Sequence, residues 1–315
     1  MMISKVFLLR LVSFIISSHC ESENIASGRS YNEQSVIISY CSFSRSSQLT
    51  GNGGVISISS SEYSLSVTQT IFYFCTSSSN GGAIYFSSST SFLNMICADK
   101  CGSASGNFAY FSTSTENYIG YLSILNSYHI SNELSTLCTF FGDQNIKGSN
   151  SSFNQALYYS SLRIASPVSV TCSFSSFYSN SASEYSCIGV WKNSGEISYC
   201  NVVGNNSPKA HSVILSYDGA KVTFKYSIFK QNLNKLFASG TGSSITITSS
   251  FISHTGDVSS GSVTAVNNNS FISTKTYCFQ FYQTQYCKAD NPVVIPTHFS
   301  VSKPSFITLL ALLLY

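Results

Sequence analysis

The stretch Asn80-Gly81-Gly82-Ala83-Ile84-Tyr85-Phe86 decides the fold, because the chain repeats its pattern. Small turn residues precede an apolar strand again at Gly53-Gly54-Val55-Ile56 and at Gly106-Asn107-Phe108-Ala109. From the first of these units to the last, the intervals are 28 and then 25 residues. A fixed period in this range is typical of repeat architectures. The pattern therefore predicts a chain built from similar coils.

A second repeated unit supports the same period. An apolar residue stands three positions before an asparagine in Phe177-x-x-Asn180, in Val202-x-x-Asn205 and in Phe229-x-x-Asn232, at intervals of 25 and 27 residues. Cys172 and Cys200 precede the first two of these units at nearly equivalent places. Two unrelated motifs with one period indicate coils that stack on each other.

The segments between the turns alternate apolar and small polar residues, as in Ser244 to Ser249. This period of two is typical of a half-buried strand, and no sustained helical pattern occurs between residues 30 and 290. A coil of two or three short strands cannot bury its inner face alone, so neighbouring coils must cover it. We therefore predict an all-β parallel β-helix over residues 21–275, with around nine coils of about 26 residues. The rival architecture is a β-sandwich, which would show irregular spacing and hairpin turns outside the repeat.

Stacking places equivalent residues about 4.8 Å apart. Inward Val, Ile and Phe then form apolar ladders, and Asn at a repeated turn position can form an amide ladder. Cysteines at equivalent places fall within the Cα separation of about 4.4 to 6.8 Å that a disulfide tolerates. We accordingly predict a disulfide between Cys172 and Cys200.

Charge is unusually scarce. Asp, Glu, Lys and Arg make up 9% of the 315 residues, whereas aromatic residues reach 14%; an average soluble domain has about 25% charged residues. The formal net charge of +3 does not supply the basic stripe that a nucleic-acid-binding protein needs, and the aromatic content argues against disorder. In stacked coils a charge at a repeated outward position would face its own copy, which Ser, Thr and Asn avoid.

Residues 1–20 have the layout of a secretory signal peptide. Lys5 precedes the apolar stretch Val6 to Ile16, and Ser18 and Cys20 stand at positions −3 and −1 of a cleavage site. An uncleaved membrane anchor is the alternative, although the apolar part is short for a span of about 20 residues. Cleavage would leave ten of the eleven cysteines, an even number that suits disulfides in a secreted or cell-surface protein.

The C-terminal residues 293–315 form a polar spacer followed by an apolar run from Phe306 to Tyr315. This run is a lipid-anchor signal, a marginal membrane segment or simply a hydrophobic terminus. Because a leucine-rich end is costly to expose to water, we expect membrane attachment through it.

The units Phe177-Tyr178-Ser179-Asn180 and Asn80-Gly81-Gly82-Ala83-Ile84-Tyr85 resemble the FxxN and GGAI motifs of polymorphic outer-membrane-protein repeats. Such repeats occur in chlamydial adhesins and in surface proteins of parasitic protists. The resemblance covers residues 35 to 275 and implies a right-handed parallel β-helix, surface exposure and an adhesive role. Residues 276–292, with Cys278 and Cys287, look like the cysteine-bearing closing segment of the protist proteins. We expect a Cys278–Cys287 loop to cover the open edge of the last coil.

The sequence offers no recognised catalytic, cofactor or metal motif, so we predict no catalytic, cofactor-binding or metal site and no enzyme activity. Cys97-x-x-x-Cys101 lacks a second ligand pair, and His129 and His211 lack triad partners. Asn150, Asn205 and Asn268 lie in sequons and are candidate glycosylation sites.

A carbohydrate-active β-helix enzyme, similar to a pectate lyase, is the alternative function and would need clustered carboxylates. Stacking could unite Glu116 with Asp143, or Glu196 with Asp218, although solvated turn positions are the simpler interpretation of all four. Trp191, the single tryptophan, could stack on a sugar ring or serve packing.

The predicted function is therefore contact through an extended hydroxyl-rich face. Its partners would be glycans or proteins on a host or neighbouring cell surface, and nucleic acid is not expected. A purely structural coat protein is the third hypothesis.

Overall fold

A computed structural model describes residues 17–19, 29–30, 35–128, 135–208, 211–254, 256–266, 275–284 and 287. Within these ranges the chain is all-β and contains no helix. In chain order the strands are β1 (Ser17–His19), β2 (Arg29–Ser30), β3 (Val36–Ser39), β4 (Ser42–Ser44), β5 (Ser47–Gln48), β6 (Ile56–Ser59), β7 (Ser64–Tyr73), β8 (Thr76–Ser77), β9 (Ile84–Asp99), β10 (Ala109–Leu125), β11 (Ser135–Phe140), β12 (Asp143–Lys147), β13 (Asn150–Ser152), β14 (Gln155–Ala156), β15 (Tyr159–Ala165), β16 (Ser169–Ser173), β17 (Ser176–Tyr178), β18 (Ser181–Ala182), β19 (Ser186–Trp191), β20 (Ser194–Ser198), β21 (Asn201–Val203), β22 (Ser212–Tyr217), β23 (Lys221–Lys225), β24 (Ile228–Lys230), β25 (Lys235–Ser239), β26 (Ser244–Thr248), β27 (Phe251–Ser253), β28 (Ser259–Ser260) and β29 (Val263–Val266).

The strands pair in parallel and form three walls around one core. The first wall consists of β2, β6, β11, β15, β19, β22, β25 and β28 with the first residues of β9 and β10. The second consists of β1, β3, β12, β16, β20, β23, β26 and β29 with the start of β7 and the middle of β9 and β10. The third consists of β4, β13, β17, β21, β24 and β27 with the ends of β7, β9 and β10.

The register of the third wall gives the number of coils. Its aligned inward positions form nine rungs: Phe43, Phe72, Ala98, Ile124, Ser151, Phe177, Val202, Phe229 and Ile252. Eight turns of chain therefore separate the first rung from the last. The prediction of a parallel β-helix is confirmed, and the β-sandwich alternative is wrong.

The core follows from the alternation of residues along each strand. In β6, for example, Ile56 and Ile58 are buried, and Ser57 and Ser59 between and after them face outward. Equivalent rings on successive rungs touch: the ring centroids of Phe86 and Phe111 are 6.2 Å apart. Each fully buried Phe or Ile contributes about 1.5 to 3 kcal/mol to stability, which a single coil could not obtain without its neighbours.

A buried asparagine ladder holds one corner in register. The side-chain amide of Asn180 donates to Asn205 Oδ1 at 3.1 Å, and that of Asn205 donates to Asn232 Oδ1 at 3.1 Å. The backbone N–H groups of Asn180 and Asn205 donate to the same two oxygens, both at 3.0 Å. The predicted amide ladder is confirmed, and Asn154 extends it with a 3.0 Å bond to Asn180.

The GG motif is explained by the turn before the first wall. Gly53 and Gly81 have φ angles of +68° and +70°, a conformation that residues with a Cβ rarely adopt. The second glycine of each pair lies against the backbone of the next coil, where Gly82 donates to the carbonyl oxygen of Gly106 at 3.0 Å. Each glycine in the motif therefore has a separate structural cause.

The closing segment lies along the side of the β-helix, contrary to the prediction. Residues 275–284 and 287, here called the strap, run over the outer face of the third wall. The backbone N–H of Tyr277 donates to Asn201 Oδ1 at 2.9 Å, and Ser123 Oγ donates to the carbonyl oxygen of Tyr282 at 2.8 Å. Asn201 belongs to the seventh rung and Ser123 to the fourth. The described part of the strap thus runs back toward the N-terminal coils and not over the last coil.

A disulfide ends the strap. Cys287 is bonded to Cys97 on the third rung, with the two Cα atoms 5.9 Å apart. The predicted Cys278–Cys287 loop is therefore wrong, and Cys278 is an exposed free thiol. The sequence pattern could not show this pairing, because the two cysteines are 190 residues apart and nothing near Cys97 marks it as a docking point.

Release of the strap is the first testable prediction. Cys287→Ala should free the strap and expose its aromatic residues, among them Phe281, which is buried in the folded protein. Cleavage by chymotrypsin within residues 275–284 should accelerate about tenfold or more, since local opening controls access. Cys278→Ala is the matched control and should leave the cleavage rate unchanged. A non-reducing peptide map that links Cys278 to Cys287 would contradict the assignment.

The predicted Cys172–Cys200 disulfide is absent as well. Cys172 aligns with Ile197 in the second wall, so Cys200 stands three residues beyond the equivalent place. Both thiols are free and buried, and Cys200 Sγ lies 4.0 Å from the carbonyl oxygen of Cys172. Burial, together with the neighbouring Cys172, raises the pKa of Cys200 well above its ordinary value.

Two of the three sequons are incompatible with glycosylation in this fold. Asn205 is fully buried in the asparagine ladder, and Asn150 is 1% exposed in the third wall, where its Oδ1 accepts from Ser152 Oγ at 2.7 Å. A glycan on either residue would displace the neighbouring coils, so the burial of both side chains argues against the predicted glycosylation there. Asn268 lies outside the described residues.

The two terminal segments are described only in part. Of the predicted signal peptide 1–20, Ser17–His19 forms β1 beside β3, and the rest lies outside the described residues. The tail 293–315, with Phe306 to Tyr315, also lies outside them. The part of the chain that the structure describes has no helix of the length and apolar character needed to cross a membrane.

Candidate functional site

The outer face of the first wall carries two columns of outward side chains, and we call it the first-wall face. From β6 to β22 each column takes one residue from every rung, because the strands pair in parallel. The first column is Ser57, Tyr85, Tyr110, Cys138, Arg163, Gly189, Leu215 and Ala238. The second is Ser59, Ser87, Ser112, Phe140, Ala165, Trp191 and Tyr217.

The N-terminal part of this face is a shallow groove lined by hydroxyl groups. Its lining residues are Ser59, Ser60, Ser61, Ser87, Ser88, Ser112, Thr113, Ser114 and Phe141. None of these described lining residues carries a charge. Phe141 is 51% exposed and closes its C-terminal side. The groove can therefore present hydrogen-bonding hydroxyls next to one apolar ring.

Aromatic rings lie beside the hydroxyl groove and continue the face beyond it. The rings of Tyr85 and Tyr110 stack with centroids 5.5 Å apart, and those of Tyr110 and Phe140 are 5.1 Å apart. Trp191 and Tyr217 form a further pair at 5.1 Å. Parallel pairing explains the Tyr85–Tyr110 and Trp191–Tyr217 contacts, because side chains on equivalent positions lie one strand spacing apart. Phe140 stands two residues beyond the position equivalent to Tyr110 and contacts it diagonally. The result is a row of partly exposed rings along the axis of the β-helix.

Arg163 lies at the centre of this row. The carbon at the centre of its guanidinium group is 5.2 Å from the centroid of the Phe140 ring, 5.6 Å from that of Tyr159 and 5.3 Å from that of Trp191. Each of these separations is within the range of a cation–π interaction. A planar cation is thus held among three rings, and the neighbouring rings fix its position.

The Trp191 ring packs against its neighbours and is also partly exposed to solvent. Its Nε1–H donates to the Tyr159 hydroxyl at 2.8 Å, which orients both rings around Arg163. Gly189 leaves the space for this arrangement, since a Cβ there would lie 2.2 Å from Cε1 of Tyr159. The two interpretations of Trp191 in the sequence are therefore compatible, because its ring packs and remains partly exposed.

The electrostatics of the face are dominated by this one arginine. No carboxylate within the described ranges pairs with Arg163, and its buried Nε has no hydrogen-bond partner there. Burial raises the pKa of Tyr110 to about 12 and also raises the pKa of Tyr159. The phenols therefore stay neutral at physiological pH and can donate hydrogen bonds.

Cys138 lies in the first column beside Arg163. Its thiol is fully buried and free. Burial raises the pKa of this thiol, and the nearby Arg163 opposes that shift. The residue is therefore a neutral filler beneath the ring row and not an ionised nucleophile.

Of the two carboxylate pairs that could have been catalytic, only one has its members next to each other. Glu116 and Asp143 are aligned on adjacent rungs of the second wall, as the spacing suggested, and both are exposed. Glu196 is bound to Lys225 at 2.6 Å, and Asp218 lies 3.8 Å from Lys192. The structure thus brings together the first pair only, away from the first-wall face.

The remaining candidates contribute no reactive cluster. His211 stacks on Tyr185 with ring centroids 4.3 Å apart, and His129 lies outside the described residues. Cys101 is fully buried next to Cys75, which raises the pKa of Cys101 in addition to burial. Across the described ranges, no group of three or more metal-ligating side chains converges.

Sequence reasoning missed Arg163 and the ring row. The signal was present in part: Tyr85 and Tyr110 follow the repeated turn at the same distance, which marks them as stacked outward residues. Arg163 had no such mark, because its neighbours in the column are a cysteine and a glycine.

Comparison with known proteins found no matching family model, curated protein or solved structure.

Proposed function

We propose that the protein is a secreted or surface-attached binding protein that makes contact through its first-wall face. The observation that carries the proposal is the series of hydroxyls and aromatic rings along that face, with Arg163 at its centre. Such contact does not require charge, since hydroxyls and rings recognise neutral polar surfaces. The partners would be glycans or proteins of a host or neighbouring cell.

The mechanism is distributed recognition along the rungs. Each rung offers one or two polar or aromatic groups, so each contact is weak, and the contacts add along the axis of the β-helix. The rigid backbone stabilises the positions of these groups before binding, which lowers the entropic cost of association. An elongated partner gains more from this arrangement than a small one.

The position of the strap indicates how the β-helix would be oriented if the C-terminal tail were attached to a membrane. Cys287 is fixed at the third rung, on the outer face of the third wall, so the chain leaves the β-helix at its side and near its N-terminal coils. If the tail 293–315 attaches to a membrane, the later coils would project away from that point. The first-wall face belongs to a different wall and would stay accessible. The resemblance to polymorphic outer-membrane-protein repeats supports the same location.

The test has two parts. Antibodies to the protein should label intact cells that express it, and purified full-length protein should bind target cells with a saturable dependence on concentration. Absence of saturable binding in the presence of surface labelling would favour a purely structural coat protein and would contradict the proposal.

The enzyme hypothesis is kept as the alternative because of one observation. Glu116 and Asp143 are aligned and exposed on adjacent rungs, as a carboxylate pair for glycoside hydrolysis would need to be. Release of reducing sugars from polysaccharides by the wild-type protein, lost in Glu116→Gln, would favour the enzyme over the binding protein.

A further inference from the structure

The ring row on the first-wall face is long and follows the axis of the β-helix, passing from the first column to the second between Tyr110 and Phe140. An aromatic side chain lies on six successive rungs of the first wall: Tyr85, Tyr110, Phe140, Tyr159, Trp191 and Tyr217. Tyr159 is buried beside Arg163, and the other five rings are at least partly exposed. At one strand spacing per rung, these rungs extend over about 24 Å. A partner that uses the whole row must itself be extended and must present flat apolar faces in sequence.

The charge within the row is single and central. Arg163 is held by three rings and has no carboxylate partner within the described residues. A guanidinium group binds a carboxylate through two parallel hydrogen bonds. Lys192 and Asp218, which follow Trp191 and Tyr217 in the chain, lie 3.8 Å from each other and are both exposed.

We propose that the ring row around Arg163 binds a polysaccharide that contains carboxylated sugars. The sugar rings would place their C–H faces against the aromatic rings, and one carboxylate would pair with Arg163. The hydroxyls of Ser87 and Ser112, on the rungs before Phe140, would receive the sugar hydroxyls at one end of the chain. This inference rests on the proposed function and names the class of partner.

Other extended partners fit the row less well. A nucleic acid carries a charge on every unit and binds through many lysines and arginines, whereas this row has one unpaired cation within the described residues. An apolar peptide would leave Arg163 without a counter-charge in a partly buried setting, which is unfavourable. A neutral polysaccharide would use the rings but not the arginine.

Binding of defined oligosaccharides to the full chain tests the inference. The probes are oligosaccharides of galacturonic acid and of hyaluronan, with a neutral cello-oligosaccharide of the same length for comparison, followed by isothermal titration calorimetry. We expect saturable binding of at least one acidic probe and weaker binding of the neutral one. Arg163→Gln should weaken the binding of the acidic probe about tenfold or more, which is equivalent to about 1.4 kcal/mol of binding free energy.

Two further variants keep the result interpretable. Arg163→Lys retains the positive charge. It should weaken binding of the acidic probe less than Arg163→Gln does. Lys147→Gln is the matched control, because Lys147 also lies over a ring, that of Phe174, but belongs to the second wall. It removes one positive charge elsewhere and should leave affinity unchanged.

Three results would overturn the inference: no saturable binding of either acidic probe, equal affinity of wild type and Arg163→Gln, or full competition by inorganic tripolyphosphate, which would indicate anion binding without sugar recognition. If Arg163→Gln still binds target cells as the wild type does, the inference fails and the proposed contact function stands.

Discussion

Gly82→Ala is expected to destabilise the protein by about 4 kcal/mol or more, an exceptional value for the addition of one methyl group. A Cβ at this position would lie 2.0 Å from the carbonyl oxygen of Asn107 and 2.8 Å from the backbone nitrogen and oxygen of Gly102. All three atoms are backbone atoms of the next coil. That coil cannot move away without breaking inter-coil hydrogen bonds, among them the 2.8 Å bond from Gly81 N–H to the carbonyl oxygen of Ser105.

Urea denaturation of the wild type and of Gly82→Ala, monitored by circular dichroism, measures this effect. Gly219→Ala is the matched control, because a Cβ at Gly219 would meet no atom within 4 Å, although its φ is +82°. Its expected cost is about 1 to 2 kcal/mol, from the left-handed backbone alone. Equal stability of the two variants would show that close stacking of the GG turns does not hold the coils together.

Asn205→Ala is expected to cost about 3 kcal/mol or more. The change leaves the backbone N–H of Asn180 and the carbonyl oxygen of Phe177 without their partners in a buried site. It also removes the bond from Asn205 Nδ2 to Asn232 Oδ1. Each buried group left unsatisfied costs about 1 to 3 kcal/mol, and the lost side-chain packing adds to this.

Hydrogen exchange localises the same effect. The amide of Asn180 should exchange about a hundredfold faster in Asn205→Ala, because its acceptor is gone and the corner opens locally. Asn145→Ala serves as the control: Asn145 lies on the second wall, and its side chain has only a 3.5 Å contact with Thr171. Unchanged protection at Asn180 in Asn205→Ala would refute the role of the ladder.

The fold could be predicted from sequence because each coil of the β-helix needs the same residues at the same positions. Gly81 and Gly82 recur as Gly53 and Gly54 with the same turn, and Asn180 recurs as Asn205 with the same bond. Any feature needed in every coil leaves a periodic trace. The asparagine ladder was predicted for this reason, although Asn154 was missed, since Ser151 replaces the apolar residue of its motif.

Features that occur once leave no such trace. The strap binds Asn201, Ser123 and Cys97 through contacts that appear in a single coil each. Its pairing with Cys97 depends on where the chain runs after the last coil, which no local pattern encodes. The Cys172–Cys200 prediction was wrong for a related reason: Cys200 stands three residues beyond the position that stacks on Cys172, in the turn between the second and third walls.

The candidate site was half predictable. The hydroxyl groove follows from the serines that alternate with core residues in β6 and β9. The arginine among three rings does not: Phe140 and Trp191 stand at equivalent positions two rungs apart, but Tyr159, at the start of β15, belongs to neither column. The absence of a Cβ at Gly189 leaves the room for the Tyr159 ring beside them.

The central claim is that the first-wall face makes the contact with cells. Binding of two matched double variants to target cells tests it most directly. Ser87→Lys with Ser112→Lys places two charges on adjacent rungs of the first-wall face, and Asn145→Lys with Thr171→Lys does the same on the second wall. We expect the first pair to abolish saturable binding and the second to leave it unchanged. Equal binding by both variants, or loss only in the second, would contradict the claim.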